Sequence, residues 1–225
     1  MAASRKIATH WSLIDLGQQT GTQDIEDYCI LCPPLRPLTR LSPLLSGLVP
    51  NRDHNTDLLA AVEKLRECEG PRQPVFSIFT ADPFIHGKPI GRALLKKGYR
   101  RVANWPTTAQ YGADFVAILQ SVDLGPTREC EMLRGFAGHG LTICAVVCLP
   151  ETTEHFMALQ PEVLFVAPGF DLWIKGRWDI QRLLARCSTV AAVVNERAPV
   201  ILMTDPNTVS LDEARRAGAD GILIA

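Results

Sequence analysis

The feature that most constrains this chain is a repeated change from an apolar, strand-like stretch to polar residues and then to a helix-like stretch. The clearest case is residues 74–87, PVFSIFTADPFIHG, which begin with β-prone side chains that lack helical spacing. The stretch turns polar at Thr80 and Asp82, and Pro83 prevents the strand from continuing. A hydroxyl and a carboxylate therefore lie where a predicted strand ends and a loop begins.

The same order of segments follows directly along the chain. A basic, helix-like segment at about residues 88–97 leads to a second strand at 101–105, which again ends among polar residues, Asn104 and Thr107. Strand, polar tip and helix together form the βα unit, and βα folds collect their functional residues at the carboxyl ends of the strands. We therefore expect these polar tips to share one end of a parallel sheet.

Seven strands are predicted in this way, and most are separated by helix-like segments. They cover residues 28–34, 74–79, 101–105, 141–150, 163–169, 199–206 and 221–225. A doubtful eighth strand lies at residues 7–16, within a poorly defined N-terminal segment of residues 1–26. Near-continuous apolar strands joined by helices are typical of parallel sheets. The pattern predicts the α/β class and a TIM-type (β/α)8 parallel barrel as a single domain over residues 1–225, degenerate at its N-terminal strand.

Composition limits the classes of partner. The 225 residues are 47% hydrophobic, which suits one large core. No apolar run reaches 18 residues, so we expect no membrane span, and a net charge of −1 argues against broad nucleic-acid binding. The seven cysteines are an odd number and lie mostly in apolar runs, which favours a reducing compartment and a cytoplasmic protein.

The last predicted strand has no helix after it. We therefore expect either a truncated sequence or a barrel that closes without its last helix. A barrel without that helix would leave apolar surface to cover, which favours a homo-oligomer.

The long connection at residues 35–55 carries further candidate residues. It contains three prolines, and loops of that length without secondary structure are often functional. Asn55 or Thr56 can cap the helix-like segment that follows. Asp53, His54 and Asn55 could cover the barrel mouth as a lid, or Asp53 and Asn55 could be a cap and a turn.

Three polar residues near predicted strand tips have both a functional and a structural interpretation. Asp82 could be a metal ligand or a general base, or it could cap the turn that Pro83 begins. Asn104 lies inside a predicted strand, where Asn is disfavoured, and could bind a substrate oxygen or make a core hydrogen bond. Glu129 and Glu131 point about 200° apart on a predicted helix, so only one can face the site, and we expect it to be Glu129.

Two further residues could contact a ligand from loops. His86 follows the loop that holds Asp82 and could shuttle a proton, or it could face solvent. Lys175 lies in the polar and aromatic stretch at residues 169–178 and could hold an anion, or that stretch could be a surface loop without a ligand.

Four short motifs and the order of the elements after them are similar to those of one family. The motifs are GLVPNRDHN (47–55), PVFSIFTADPF (74–84), GYRRVANWPT (98–107) and GPTRECEML (125–133). Together they resemble the phosphoenolpyruvate hydrolase-like TIM-barrel family, also called TIM-barrel signal-transduction proteins. The resemblance covers roughly residues 27–225 in order.

The resemblance implies a substrate and roles for matched residues. The substrate would be a small phosphorylated or carboxylated acid, bound together with a divalent metal such as Mg²⁺. Asp82 would be the base or the metal ligand, Asn104 and Thr107 would orient the substrate, and Glu129 would be a second acid or base. With the loop candidates described above, the residues expected to contact the substrate are Thr80, Thr107, Asp53, Asn55, His86 and Lys175.

The chain departs from the family pattern at other strand tips. The family has a His-containing, glycine-rich loop after its sixth strand, whereas this chain has APGFDLWIKGRWD. After its seventh strand the family has His-Gly-Gly, whereas this chain has MTDPNTVS. Because glycine-rich tips let backbone amides approach a phosphate, their replacement favours an alternative. In that alternative the chain is a catalytically inactive barrel that serves as a ligand sensor or a protein-interaction module.

Overall fold

The computed structural model describes residues 9–16, 28–33, 41–49, 53–68 and 73–225. Its strands are β1 (His10–Asp15), β2 (Cys29–Cys32), β3 (Val75–Ser77), β4 (Arg101–Ala103), β5 (Thr142–Val147), β6 (Leu164–Val166), β7 (Trp173–Ile174), β8 (Arg177–Trp178), β9 (Val200–Thr204) and β10 (Gly221–Ile224). Eight of them form a closed, all-parallel barrel, and β7 and β8 form a separate antiparallel hairpin. The predicted TIM-type barrel is therefore confirmed.

The doubtful first strand takes part in closing the barrel. β1 pairs in parallel with β2 on one side and with β10 on the other. Trp11 of β1 is buried and contacts the ring of Phe165 in β6, with ring centroids 5.1 Å apart. The short, weakly patterned segment at residues 7–16 therefore contains the strand that joins the two ends of the sheet.

Helices lie between most barrel strands. They are α1 (Pro43–Ser46), α2 (His54–Lys64), α3 (Gly87–Lys96), α4 (Ala113–Ser121), α5 (Pro126–Gly138), α6 (Pro150–Met157), α7 (Ile180–Val194) and α8 (Leu211–Arg216). Two 3₁₀ turns add Thr108–Tyr111 and Phe170–Leu172. The capping box predicted by Ser210 and Glu213 is present at the start of α8.

The connection at residues 35–55 differs from its prediction in two ways. It contains the short helix α1, and α2 begins at His54, one residue before the predicted caps. Asp53 is the N-cap, because the Thr56 amide donates to its Oδ1 at 2.9 Å. The prediction that Asn55 or Thr56 would be the cap is therefore wrong. The carboxylate of Asp53 instead accepts the hydrogen bond from the free Thr56 amide in the first turn of α2.

The core of the barrel is apolar and continuous. Every residue of β2, β3, β6 and β9 is buried, as expected of parallel strands covered on both faces. All seven cysteines are free thiols, and six of them are buried. Among the described residues, no helix is both long and apolar enough to cross a membrane.

Residues 41–49, which we name the cover segment, lie against the carboxyl ends of several strands. The Ser42 hydroxyl donates to Oδ1 of Asp205, just after β9, at 2.7 Å. The Gln110 side chain donates to the carbonyl of Leu44 and to that of Pro168, just after β6. Leucine side chains of the segment are buried in the core. The cover segment therefore ties together loops that follow β4, β6 and β9.

Candidate functional site

The predicted site residues Asp82 and Asn104 lie at the same end of the barrel. They follow β3 and β4, which are neighbouring parallel strands. The pairing continues beyond β3, because the amide of Ile78 donates to the carbonyl of Ala103 at 2.8 Å. Both residues therefore stand at the carboxyl end, where βα folds place their sites.

Asn104 and Glu129 meet in a buried group of polar residues, which we name the carboxylate cluster: Asn104, Thr107, Thr108 and Glu129. All four are completely buried. Glu129 accepts from Asn104 Nδ2 at 2.8 Å, from Thr107 Oγ1 at 2.7 Å and from the Thr108 amide at 2.6 Å. The cluster therefore joins α5 to the loop after β4.

Asn104 extends this cluster to the next strand. Its Oδ1 accepts from the amide of Val146 at 2.8 Å, and its Nδ2 donates to the carbonyl of the same residue at 2.9 Å. An amide side chain supplies both the donor and the acceptor that a strand edge requires. Asn104 thereby links β4, β5 and α5 through hydrogen bonds. This agrees with the structural interpretation of Asn104, a hydrogen bond within the core.

Glu129 faces inward and Glu131 is exposed, as the spacing predicts. Burial raises the pKa of Glu129, while the hydrogen bonds from Thr108, Thr107 and Asn104 act in the opposite direction. Both carboxylate oxygens accept hydrogen bonds from the protein. This arrangement positions the loop after β4, and the catalytic role implied for Glu129 stays a prediction.

A separate pocket of about 570 Å³ opens beside β3, between α2 and α3. Its polar lining comes from Asp53, His54, Asn55, Thr56, Asp82 and His86. Its apolar lining comes from Leu59, Phe79, Ala81, Pro83, Phe84, Ile85, Pro89 and Ile90. Four of the predicted site residues, Asp53, Asn55, Asp82 and His86, are thus brought together here.

Asn55 and Asp82 build the wall of this pocket through hydrogen bonds. Asn55 Nδ2 donates to Asp82 Oδ2 at 3.0 Å and to the carbonyl of Phe79 at 2.9 Å, and the Phe79 amide donates to Asn55 Oδ1 at 3.1 Å. The Phe84 amide donates to Asp82 Oδ1 at 2.8 Å. Asp82 therefore shapes the turn after β3, as the structural interpretation expects, while its partly exposed carboxylate faces the pocket.

His54 also lines this pocket, and the sequence suggests for it only a place in a lid over the barrel mouth. Removal from water lowers the pKa of His54 to about 4. One ring nitrogen, Nε2, lies 3.3 Å from Ser77 Oγ. A neutral imidazole can donate or accept a hydrogen bond inside the pocket at physiological pH. No spacing rule in the sequence distinguishes this histidine from its neighbours, because its surroundings come from contacts with Ser77 and Phe79, which are distant along the chain.

The first turns of two helices also line the pocket. His54 to Thr56 begin α2, and the N-cap His86 with Pro89 and Ile90 belong to the start of α3. The N-cap of α3 makes no side-chain capping hydrogen bond. Helix N-termini carry partial positive charge and free amides, which favour anionic groups. The carboxylates of Asp53 and Asp82 oppose that field, so the pocket has mixed electrostatics.

The other predicted contact residues lie outside the pocket lining. Thr107 belongs to the carboxylate cluster, and Lys175 lies in the turn of the β7–β8 hairpin with φ of 51°. Thr80 is completely buried, and its hydroxyl has no hydrogen-bond partner among the described residues. The predicted site therefore divides into a pocket, a buried cluster and two separate residues.

The side chains described above do not form a metal site by themselves. Within the described part of the chain, no group of three or more His, Cys, Asp and Glu side chains could hold a metal ion. Both oxygens of Asp53 already accept from Thr56, and those of Asp82 accept from Asn55 and Phe84. The residues present do not fit a protein-built metal centre.

Comparison with curated proteins found a relative that matches less than half of the chain. No family model matches the chain. Over 100 residues the chain is 32% identical to the uncharacterized protein y4oT of Sinorhizobium fredii (strain NBRC 101917 / NGR234), which covers 44% of this chain and 50% of that protein. The chain thus spans about half the length of the curated relative it matches.

Among solved structures, similarity is distant. The native KDPGal structure matches 100% of this chain and 85% of its own, at 11% identity and a TM-score of 0.48. FabK from Thermotoga maritima matches 78% of this chain and 48% of its own, at 13% identity and a TM-score of 0.48. The strand pairing described above therefore remains the basis for assigning a closed parallel barrel of the TIM type.

Proposed function

We propose that the protein is a TIM-type barrel that binds a small carboxylated or phosphorylated acid in the pocket between α2 and α3. The observation that carries this proposal is the convergence of two helix N-termini and the Asp82 loop on a pocket of about 570 Å³. That volume falls within the range of small-molecule sites, which combine apolar walls with a few polar groups. The resemblance to phosphoenolpyruvate hydrolase-like proteins supports the same class of ligand.

Different residues of the pocket would bind different parts of the ligand. The first turn of α3 and the ring of His86 would hold the acid group, because the start of α3 lacks a side-chain cap. The neutral His54 would donate or accept one hydrogen bond. Apolar lining residues such as Leu59 and Phe79 would enclose the body of the ligand.

A divalent metal would need the ligand to complete its coordination. Mg²⁺ is commonly held by one or two carboxylates together with the oxygens of a phosphorylated substrate. Asp82 could supply one such carboxylate, and a bridging cation would also remove its repulsion of an acid. We propose that a metal at Asp82, if bound, is held in this way.

Calorimetric titration with phosphoenolpyruvate tests the pocket directly. Leu59→Trp places a larger ring in the lining, so we expect binding at least about 10-fold weaker than that of the unmodified protein. Ala60→Trp, on the exposed side of the same helix, is the matched control and should bind normally. Absence of binding by the folded, unmodified protein, with and without Mg²⁺, would overturn the proposal.

Catalysis is the alternative function, but the buried carboxylate cluster favours an inactive barrel over an enzyme. Glu129 is inaccessible and already accepts three protein hydrogen bonds, so it lies in no open site with Asp82. We therefore propose ligand sensing without turnover. Phosphorus NMR of phosphoenolpyruvate incubated with the protein should show no release of phosphate above the rate without protein. Release that Asp82→Asn abolishes in a folded protein would favour the enzyme instead.

A further inference from the structure

The short helix α4 exposes an apolar face at the carboxyl end of the barrel. None of its residues is buried, and Phe115, Ile118 and Val122 just beyond it are 45%, 59% and 59% exposed. Spacings of three and four place these three side chains along one side of the helix. Large apolar side chains grouped in this way on a surface mark an interaction site.

The rim of this α4 face is acidic. Asp114 and Asp123 lie at its two ends, both exposed, and the sequence has no Lys or Arg from residue 112 to 127. Neither carboxylate has a hydrogen bond or an ion pair with another residue that the structure describes. The α4 face therefore joins uncompensated negative charge to exposed apolar area.

Helix α3 presents the opposite charge. Lys88, Arg92 and Lys96 are exposed and follow one another at intervals of four residues, so they form a stripe along the helix. No acidic residue occurs between residues 87 and 101, and none of the three cations has an ion pair within the described chain. Phe84, just before α3, is 82% exposed. The α3 face thus combines a basic stripe with one exposed aromatic ring.

Both faces flank the same helix. α3 and α4 each pack against α5, so they lie on the same side of the barrel. α5 itself exposes Gly135 and Gly138 in its last turns, where an added Cβ would meet no atom within 4 Å. A second molecule can therefore approach the backbone of α5 closely at this end of the helix.

We infer that this side of the barrel forms a two-fold symmetric dimer, in which the α4 face of each copy packs against the α3 face of the other. A two-fold axis passing near α5 brings the two unlike faces together twice, which is how a closed isologous interface works. Phe84 of one copy then packs on Phe115 and Ile118 of the other. The acidic rim meets the basic stripe, whereas pairing α4 with α4 would oppose like charges.

Charge reversal with sedimentation or light-scattering measurement tests this interface in the full chain. Lys88→Glu/Arg92→Glu and Asp114→Lys/Asp123→Lys should each convert the dimer to a monomer, raising the dimer dissociation constant at least about 100-fold. An equimolar mixture of the two variants should restore a dimer, because each opposite-charge contact is then re-formed. Arg215→Glu/Arg216→Glu on α8 is the matched control and should remain dimeric.

Two results would contradict this dimer. A monomeric unmodified protein at about 100 μM would overturn the inference, because the dimer dissociation constant would then lie above that concentration. A dimer that survives reversal on α3 but is lost with Ile118→Glu would assign the contact to α4 alone and also overturn it. Circular dichroism of every variant confirms the fold before association is measured. None of the substituted residues lines the pocket, so ligand titration of these variants is an independent measurement.

Discussion

At the scale of single residues, Glu129 illustrates how a carboxylate can be held in a buried position between a helix and a barrel loop. An isolated buried charge is unfavourable, and only donors placed around it make the position tolerable. Asn104, Thr107 and the Thr108 amide supply these donors. Because the same donors have no other carboxylate in the cluster, removal of Glu129 leaves polar groups buried without their partner.

Replacement of Glu129 should therefore lower the free energy of unfolding. We expect Glu129→Ala to cost about 2–4 kcal/mol and Glu129→Gln less, because Gln keeps one acceptor oxygen. Urea unfolding measures both. Glu131→Gln, on the exposed side of α5, should change stability by less than about 0.5 kcal/mol. Equal stability of Glu129→Ala and the unmodified protein would contradict a structural role for the cluster.

His54 gives a prediction about pH. Its pKa falls from 6.5 to about 4 in the folded protein, so between these values the unfolded chain binds the extra proton. The contribution of His54 is complete above pH 6.5 and is lost as pH falls through about 4. The size of the shift sets this contribution at up to about 3 kcal/mol.

Unfolding by urea at pH 7 and pH 4.5 tests this linkage. His54→Gln should lose less stability on acidification than the unmodified protein, because Gln does not titrate. His86→Gln, at an exposed position, should retain the original pH dependence. An identical loss in all three proteins would show that His54 is not the source of the acid sensitivity.

At the scale of elements, the cover segment decides what the carboxyl end of the barrel exposes. Ser42 both caps α1 and donates to Asp205, whose second oxygen accepts from Trp178 Nε1 at 2.8 Å. Gly47 lies so close to the Trp105 indole that an added Cβ would be 3.0 Å from a ring carbon. A short helix can therefore remain folded across the barrel end because side chains from distant loops hold it.

Loss of these contacts should loosen the cover segment locally. Ser42→Ala removes a cap and a tertiary hydrogen bond, which together contribute about 1–2 kcal/mol. Amide hydrogen exchange of residues 44–49 should become at least about 5-fold faster, while exchange of β5 stays unchanged. Ser210→Ala, at the N-cap of α8, is the matched control and should accelerate exchange only near α8. Unchanged exchange at residues 44–49 would contradict the proposed tie.

At the scale of the whole molecule, closure of the barrel couples the two ends of the described chain. β1 pairs with β2 and β10, and Trp11 contacts Tyr28 and Phe165 edge-on, with ring centroids 5.4 Å and 5.1 Å apart. A barrel has no free strand edges once it is closed, so disruption of one strand weakens the strand pairing of the whole sheet.

Trp11→Ala should consequently destabilise the whole barrel and not only β1. We expect a loss of about 3–5 kcal/mol, the usual cost of removing a buried Trp side chain. Far-UV circular dichroism and hydrogen exchange of β6 should report the same loss. Trp173→Ala, in the partly exposed β7–β8 hairpin, should cost distinctly less and leave β6 exchange unchanged. A loss confined to residues 9–16 would contradict this coupling.

The candidate site was predictable in part. The sequence predicts Asp82 and Asn104 near the ends of consecutive strands and Glu129 on the inward side of its helix, because strand endings and helical spacing are local patterns. It did not separate the pocket from the carboxylate cluster. That separation depends on Asn55 reaching Asp82 and on Glu129 reaching Asn104, across 27 and 25 residues respectively. Lys175 is a candidate because of its charge and its place in a polar and aromatic stretch after a predicted strand. The sequence does not predict the two short strands that place Lys175 in a hairpin turn.

The sequence by itself determined the barrel, because alternating apolar strands and amphipathic helices specify which surfaces must be buried, and closed parallel pairing satisfies them all. Tertiary structure alone decided which polar groups meet, as with Ser42 and Asp205, which are 163 residues apart. The physical reason is that apolar burial is non-directional and is encoded residue by residue, whereas a hydrogen bond requires two particular atoms at about 3 Å with suitable alignment. Only the packed fold sets that distance.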